Sequence, residues 1–145
     1  MIYFVDEDIQ YSREFSVPLQ MRGHQLSILP NADVAYDTLE NADDIDLVIV
    51  DIMLATGDVQ TSRFSSSDTD GFLETGLLLM RYLSDLRPEY FPRKFVVLTA
   101  AGAKLIQRVN SVCVDLDVPV LKKGDFRVPS TLANSIEGIL TERGN

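Results

Sequence analysis

The run LVIV at residues 47–50 constrains this chain more than any other stretch. Side chains alternate between the two faces of a strand, so a run that is apolar at odd and even positions alike must be covered on both faces. IYFV (2–5) and KFVVLT (94–99) repeat the signature, and QLSIL (25–29) and VPVL (118–121) are weaker versions of it. Between them lie stretches of helical character: 9–22, 31–42, 75–87, 103–116 and 130–143. Five strands alternating with helices predict an α/β chain, a single doubly wound parallel sheet with helices on both faces.

Local signals refine the elements. Asn31 or Asp33 is placed to cap the second helix and Ser130 the last. Pro18 is expected to kink or interrupt the first helix. Leu79, Leu83 and Leu86 share one face of the third, and Leu132, Ile136, Ile139 and Leu140 form the buried stripe of the last. Residues 55–74, ATGDVQTSRFSSSDTDGFLE, break the rhythm. They read as a long mobile loop with few apolar anchors, a length at which loops are usually functional or disordered. His24 is expected in a solvent-facing turn.

In sheets of this class, sites form where strands end at their carboxyl side. Asp6, Glu7 and Asp8 follow the first strand, Asp51 the third; Thr99 ends the fourth, and Lys122 and Lys123 follow the fifth. If those four strands are neighbours, the result is a cluster of carboxylates flanked by a hydroxyl and a lysine. Crowded carboxylates raise one another's pKa, and a hard divalent cation relieves them. Mg2+ takes oxygen ligands and is commonly held by one or two carboxylates together with a phosphate. A lysine serves as a point charge on a phosphoryl oxygen, and an aspartate can act as nucleophile toward phosphorus. Asp8 also reads as a helix cap.

Composition narrows the partners. The chain has 145 residues and a formal net charge of −9, which argues against nucleic acid and anionic membranes because both require a positive surface. No apolar stretch approaches the ~20 residues of a membrane span. The opening MIYFV has no basic leader, so the cytoplasm is the expected compartment. The single cysteine, Cys113, lies in VCV and is expected to be a buried thiol. One domain, 1–145, accounts for the whole chain.

FVDED (4–8), LVIVDIML (47–54), VVLTA (96–100) and LKKGDF (121–126) occur in this order, and together they resemble the response-regulator receiver domain of two-component signalling. The resemblance implies a flavodoxin-like strand order 2-1-3-4-5. It makes Asp51 the phospho-acceptor, and Asp6, Glu7, Asp51 and the backbone carbonyl of Met53 the ligands of Mg2+. Thr99 becomes the hydroxyl that follows the phosphoryl group, Ala100 the small residue beside it, and Lys123, in preference to Lys122, the phosphate partner. Lys123 lies three residues before Phe126 and is followed by Gly124, where the family has a turn proline and where glycine permits unusual backbone angles.

Several positions depart from the family. Glu7 stands where an aspartate is usual, Val120 where an aromatic switch residue is usual, and no proline follows the lysine. The segment after Asp51 is longer than usual, and Thr75-Gly76 best fits the start of the next helix.

The implied function is a phospho-accepting receiver, not an enzyme. It would take its phosphoryl group from a histidine kinase or histidine phosphotransfer protein and signal to a downstream protein target. One rival is a degenerate, phosphorylation-independent interaction module on the same fold. Another is an aspartyl-nucleophile phosphatase, which usually carries a second aspartate two residues after the first; Met53 stands there.

Overall fold

The computed structural model describes residues 1–143. Strands β1 (Ile2–Val5), β2 (Leu26–Leu29), β3 (Leu47–Val50), β4 (Phe95–Thr99) and β5 (Val120–Lys122) alternate with helices α1 (Ile9–Met21), α2 (Ala32–Leu39), α3 (Thr75–Leu86), α4 (Ala103–Leu116) and α5 (Pro129–Glu142). All strand pairs are parallel, in the order β2-β1-β3-β4-β5. This is the doubly wound α/β sheet and strand order expected above.

Alternation along the apolar strands builds two cores. Tyr3, Val5, Val48, Val50, Phe95 and Val97 face α2, α3 and α4. Ile2, Phe4, Leu47, Ile49, Val96 and Leu98 face α1 and α5 through Phe15, Leu19, Leu132, Ala133, Ile136 and Ile139. Each fully buried side chain of this size contributes roughly 1.5–3 kcal/mol, so the sheet is held from both sides. Cys113 lies on the buried face of α4, and burial pushes its thiol up to about 11.

Four local expectations are corrected. Pro18 lies inside α1 without interrupting it. Its missing N–H removes a single bond from a helix that is held along its length by Tyr11, Phe15 and Leu19 packing inward. Leu86 is exposed, because α3 ends there and the last turn has left the core. Helix α5 starts one residue earlier than expected: Val128 takes the cap position and Pro129, whose fixed φ suits a first turn, stands where Ser130 was expected to set the boundary. Gly124 has no positive φ; it lies in a single 3-10 turn, Lys123–Asp125.

The segment 55–74 has no helix or strand, as expected, but it is anchored. Asp33 near the start of α2 accepts hydrogen bonds from Gly57 N (2.7 Å), Ser62 Oγ (2.6 Å) and Arg63 N (3.0 Å). These donors outweigh the effect of burial and hold its carboxyl below the usual range. Arg63 pairs with Asp37 at 2.9 Å and lies over the Tyr36 ring. Phe64, only 1% exposed, packs beside Tyr82 of α3. One aromatic anchor and one carboxylate latch therefore do what a strand or helix would otherwise do.

Candidate functional site

The sheet register assembles the site. Val5 pairs with Val50, so Asp6 and Asp51 leave adjacent strands side by side. Val50 also pairs with Val97, and Thr99 with Lys122, which brings Thr99 and Lys123 to the same edge. The ladder continues past the strands through Asp6 N to Leu29 O (3.1 Å) and Asp51 N to Val5 O (3.0 Å). Both carboxylates are thus fixed at their backbones before their side chains make any contact.

Asp6 is 1% exposed, Asp51 8% and Thr99 1%. Lys123 reaches over the strand ends, its Nζ 2.7 Å from Asp6 Oδ2 and 3.2 Å from Asp51 Oδ2. The second oxygen of Asp6 accepts from Asp8 N at 2.9 Å. Asp51 Oδ1 is buried and makes no hydrogen bond of good geometry among the described residues, although the Thr99 hydroxyl lies near enough to the carboxylate to stabilise its charge. An unpaired buried carboxylate oxygen is costly, and it is the atom most open to a new electrophilic partner.

Charge follows this geometry. Burial raises the pKa of Asp51 above the ordinary carboxylate value, and the neighbouring charge of Asp6 adds to it; the Lys123 ammonium and the Thr99 hydroxyl pull the other way without cancelling the rise. Burial disfavours the charge on Lys123, but contact with Asp6 and the negative charges of Asp51 and Asp6 outweigh it and raise its pKa. The proton stays on the lysine.

The remaining residues fall into place around this pair. Thr99 Oγ1 accepts from Ala101 N at 3.2 Å, which orients the hydroxyl at the end of β4. Ala100 is exposed and Met53 half-buried. Glu7 is exposed, and its carboxylate makes no hydrogen bond or ion pair among the described residues. Asp8 caps α1 by accepting from Tyr11 N. Lys122 is exposed on the other side of the strand, and Lys123 alone touches Asp51. His24, half-buried in the turn after α1, lies 3.8 Å from Glu137, far from Asp51 in the chain's topology.

Two contacts at the site escaped the sequence reading. Gly76, in the first turn of α3, lies so close to Asp51 that a Cβ there would stand 2.2 Å from the Asp51 carbonyl oxygen; its own N–H bonds Ile52 O at 2.8 Å. Tyr11 places its ring 4.5 Å from Lys123 Nζ. Only the tertiary approach of α1 and α3 reveals either.

The donor set suits a hard divalent cation of the Mg2+ type, which needs only one or two carboxylates. Asp6 and Asp51 supply them, and the unsatisfied Asp51 Oδ1 is an oxygen such an ion could take. Among the described residues no group of three or more acidic, histidine or cysteine side chains lies at ligating distance.

No protein-family model and no curated protein matches the sequence. Solved structures do match. A response regulator receiver domain protein (CheY-like) from Methanospirillum hungatei JF-1 shares 22% identity over 98% of this chain and 94% of its own, with a TM-score of 0.68. The receiver domain of NtrX from Brucella abortus shares 20% identity over 97% of this chain and 98% of its own, TM-score 0.66. A response regulator from Burkholderia pseudomallei, solved with a phosphorylated aspartic acid, a calcium ion and citrate, shares 24% over 91% of this chain, TM-score 0.59; this chain spans 64% of that protein. With a parallel sheet in the order β2-β1-β3-β4-β5 and neighbours of this kind along nearly its full length, the chain has the fold of the response-regulator receiver domains.

Proposed function

We propose that this chain is a phospho-accepting receiver, with Asp51 as the acceptor. The observation that carries the reading is Asp51 itself: a buried carboxylate at a strand end, one oxygen held by Lys123 and the other without a hydrogen bond of good geometry. In the reaction, an Asp51 oxygen attacks phosphorus and a new O–P bond forms. The bond from phosphorus to the donor breaks, P–N in a phosphohistidine, and the leaving imidazole keeps the electron pair and takes a proton from water. Lys123 holds a phosphoryl oxygen as a point charge, the Thr99 hydroxyl donates to another, and Ala100 leaves the approach open.

Asp6 and Asp51 are the residues that would hold Mg2+, with the Met53 carbonyl as a further ligand and Glu7 as the outer acid. When bound, the ion supplies positive charge that neutralises the crowded carboxylates and the transferring group. The Burkholderia structure, which has a phosphorylated aspartate together with calcium, supports the combination. The donor is a histidine kinase or histidine phosphotransfer protein, and output runs through contact with a downstream protein. No described helix is long and apolar enough to cross a membrane; the cytoplasm is the compartment we propose. Residues 1–145 act as one receiver domain, without an enzymatic activity of their own.

Incubation with acetyl phosphate and Mg2+ tests this. Intact-mass spectrometry should show one added phosphoryl group, removed by hydroxylamine as an acyl phosphate is. A protein that stays unmodified, yet binds its partner undiminished as Asp51→Asn, would instead be a phosphorylation-independent module. That second reading draws on Glu7 and Val120, which stand where the receiver pattern has other residues.

A further inference from the structure

Lysine is a compact charge on a flexible four-carbon stem, and two carboxylates on one side do not determine where it points. In this chain the other side is closed. Tyr11, in the first turn of α1, presents the face of its ring to Lys123 Nζ at 4.5 Å. The ring is itself immobilised: it stacks on Phe15 at 4.2 Å with an interplanar angle of 15°, and meets Phe4 edge-on at 6.4 Å. Its backbone N–H is tied to the Asp8 cap at 3.0 Å. The Tyr11 hydroxyl is buried and makes no hydrogen bond among the described residues, so it is the ring and not the phenol oxygen that engages the site.

We propose that Tyr11 is a positioning residue for Lys123, its ring face holding the ammonium against Asp6 and Asp51. A cation over an aromatic face is attracted by the ring quadrupole, more strongly where water is kept away. Because Phe4 and Phe15 already fix the ring, little further ordering is needed when the ammonium docks. The lysine is therefore presented at one place, between the two carboxylates. This matters for the receiver reading, on which the kinetic part of the proposal rests: an ammonium already aimed at Asp51 meets the incoming phosphoryl oxygen without a search through rotamers. It also gives this chain an aromatic partner for its site on α1, whereas β5 carries Val120.

The test compares wild type with Tyr11→Phe and Tyr11→Leu, with Tyr11→Met as a second ring-free variant should the leucine variant fold poorly. Without any phosphodonor, NMR of the lysine side chains should show the Lys123 ε-methylene shifted upfield by the ring in wild type and Tyr11→Phe, relative to Lys104 and Lys122. The Lys123 ammonium should be rigid by 15N relaxation in those two proteins and measurably more mobile in the ring-free variants, where Asp6 and Asp51 alone hold it. With acetyl phosphate and Mg2+, Tyr11→Phe should take up phosphoryl groups within about twofold of wild type. The ring-free variants should be slower by roughly threefold to thirtyfold, the span that a cation–π contact of this kind corresponds to. The proposal is overturned if Lys123 resonates and relaxes like Lys122 in wild type, if it stays rigid in a folded ring-free variant, or if Tyr11→Phe is as slow as Tyr11→Leu. If no protein, wild type included, is phosphorylated while the NMR results come out as stated, the positioning stands and the receiver reading is what fails.

Discussion

Lys123 lies closer to Asp6 than to Asp51, at 2.7 Å against 3.2 Å, and so bridges two carboxylates that would otherwise repel each other inside the protein. One ammonium cannot neutralise both charges, and the surplus negative charge is what a bound cation would offset.

Asp51→Asn should abolish the hydroxylamine-sensitive phosphoryl label and leave the fold unchanged, because the amide has the shape of the acid but not its nucleophilicity. The same variant carries a pH signature. Burial raises the Asp51 pKa above its unfolded value of 3.8, so the folded state binds more protons than the unfolded one between 3.8 and the folded value. Stability in chelator therefore falls as pH rises across that window, and the contribution levels off above it. Urea unfolding of Asp51→Asn, followed in chelator from acid to neutral pH, should lack this component of the slope.

Removing the bridge should be expensive in the metal-free protein. Lys123→Met leaves Asp6 and Asp51 facing each other without a counter-charge; breaking a buried ion pair costs about 3–5 kcal/mol, and the lower end applies because Lys123 reaches solvent. Saturating Mg2+ should restore part of that loss. Lys122→Met, on an exposed position, should change stability by less than about 0.5 kcal/mol. Equal losses from the two variants would mean that the bridge is not what holds this edge together.

Mg2+ affinity should separate the acids. Asp6→Asn is expected to weaken binding by tenfold or more, about 1.4 kcal/mol, since a buried negative carboxylate becomes a neutral amide. Glu7→Gln, on an exposed carboxylate, should weaken it by only about threefold. Isothermal titration with Mg2+ measures both; a larger effect at Glu7 would make that side chain a direct ligand.

Gly76→Ala should disturb the site from behind. Its Cβ would meet the Asp51 carbonyl oxygen at 2.2 Å, with backbone rather than a flexible side chain as the obstacle. The expected cost is about 1–3 kcal/mol, as for overpacking elsewhere in protein cores. Phosphoryl uptake should slow as Asp51 is displaced, and thermal unfolding with acetyl phosphate kinetics reads both effects.

The anchored segment makes a separate claim on stability. Phe64→Ala should cost about 3 kcal/mol, the usual figure for truncating a buried phenylalanine. Asp33→Ala should cost less at neutral pH. Its advantage should fade in acid: the folded pKa lies below 3.8, so the stability it contributes is present above 3.8 and lost as pH falls through the folded value. Replacing residues 58–70 with a Gly/Ser link should therefore lower the melting temperature, the reverse of what a loop without anchors would show.

The sheet could be read from the chain because its signal is local: runs such as LVIV have only one compatible environment, buried on both faces, and alternating helices make that environment parallel. The acids and the lysine at the strand ends were visible for the same reason, since a polar group directly after a buried strand lies at the sheet's carboxyl edge. Lys123 was preferred over Lys122 through the resemblance, by its spacing to Phe126, although the backbone argument built on Gly124 did not hold. What the chain did not disclose are contacts made across elements far apart in sequence. The ring of Tyr11 over Lys123, the bare Cα of Gly76 against Asp51, and the Asp33 latch on residues 57–63 each join segments tens of residues apart. A tyrosine in a first helical turn, a glycine at a helix start and an aspartate beside a cap all have ordinary local explanations. Only packing, which brings the first turn of α1 beside the turn that follows β5 and α3 against the end of β3, selects the partner each one meets.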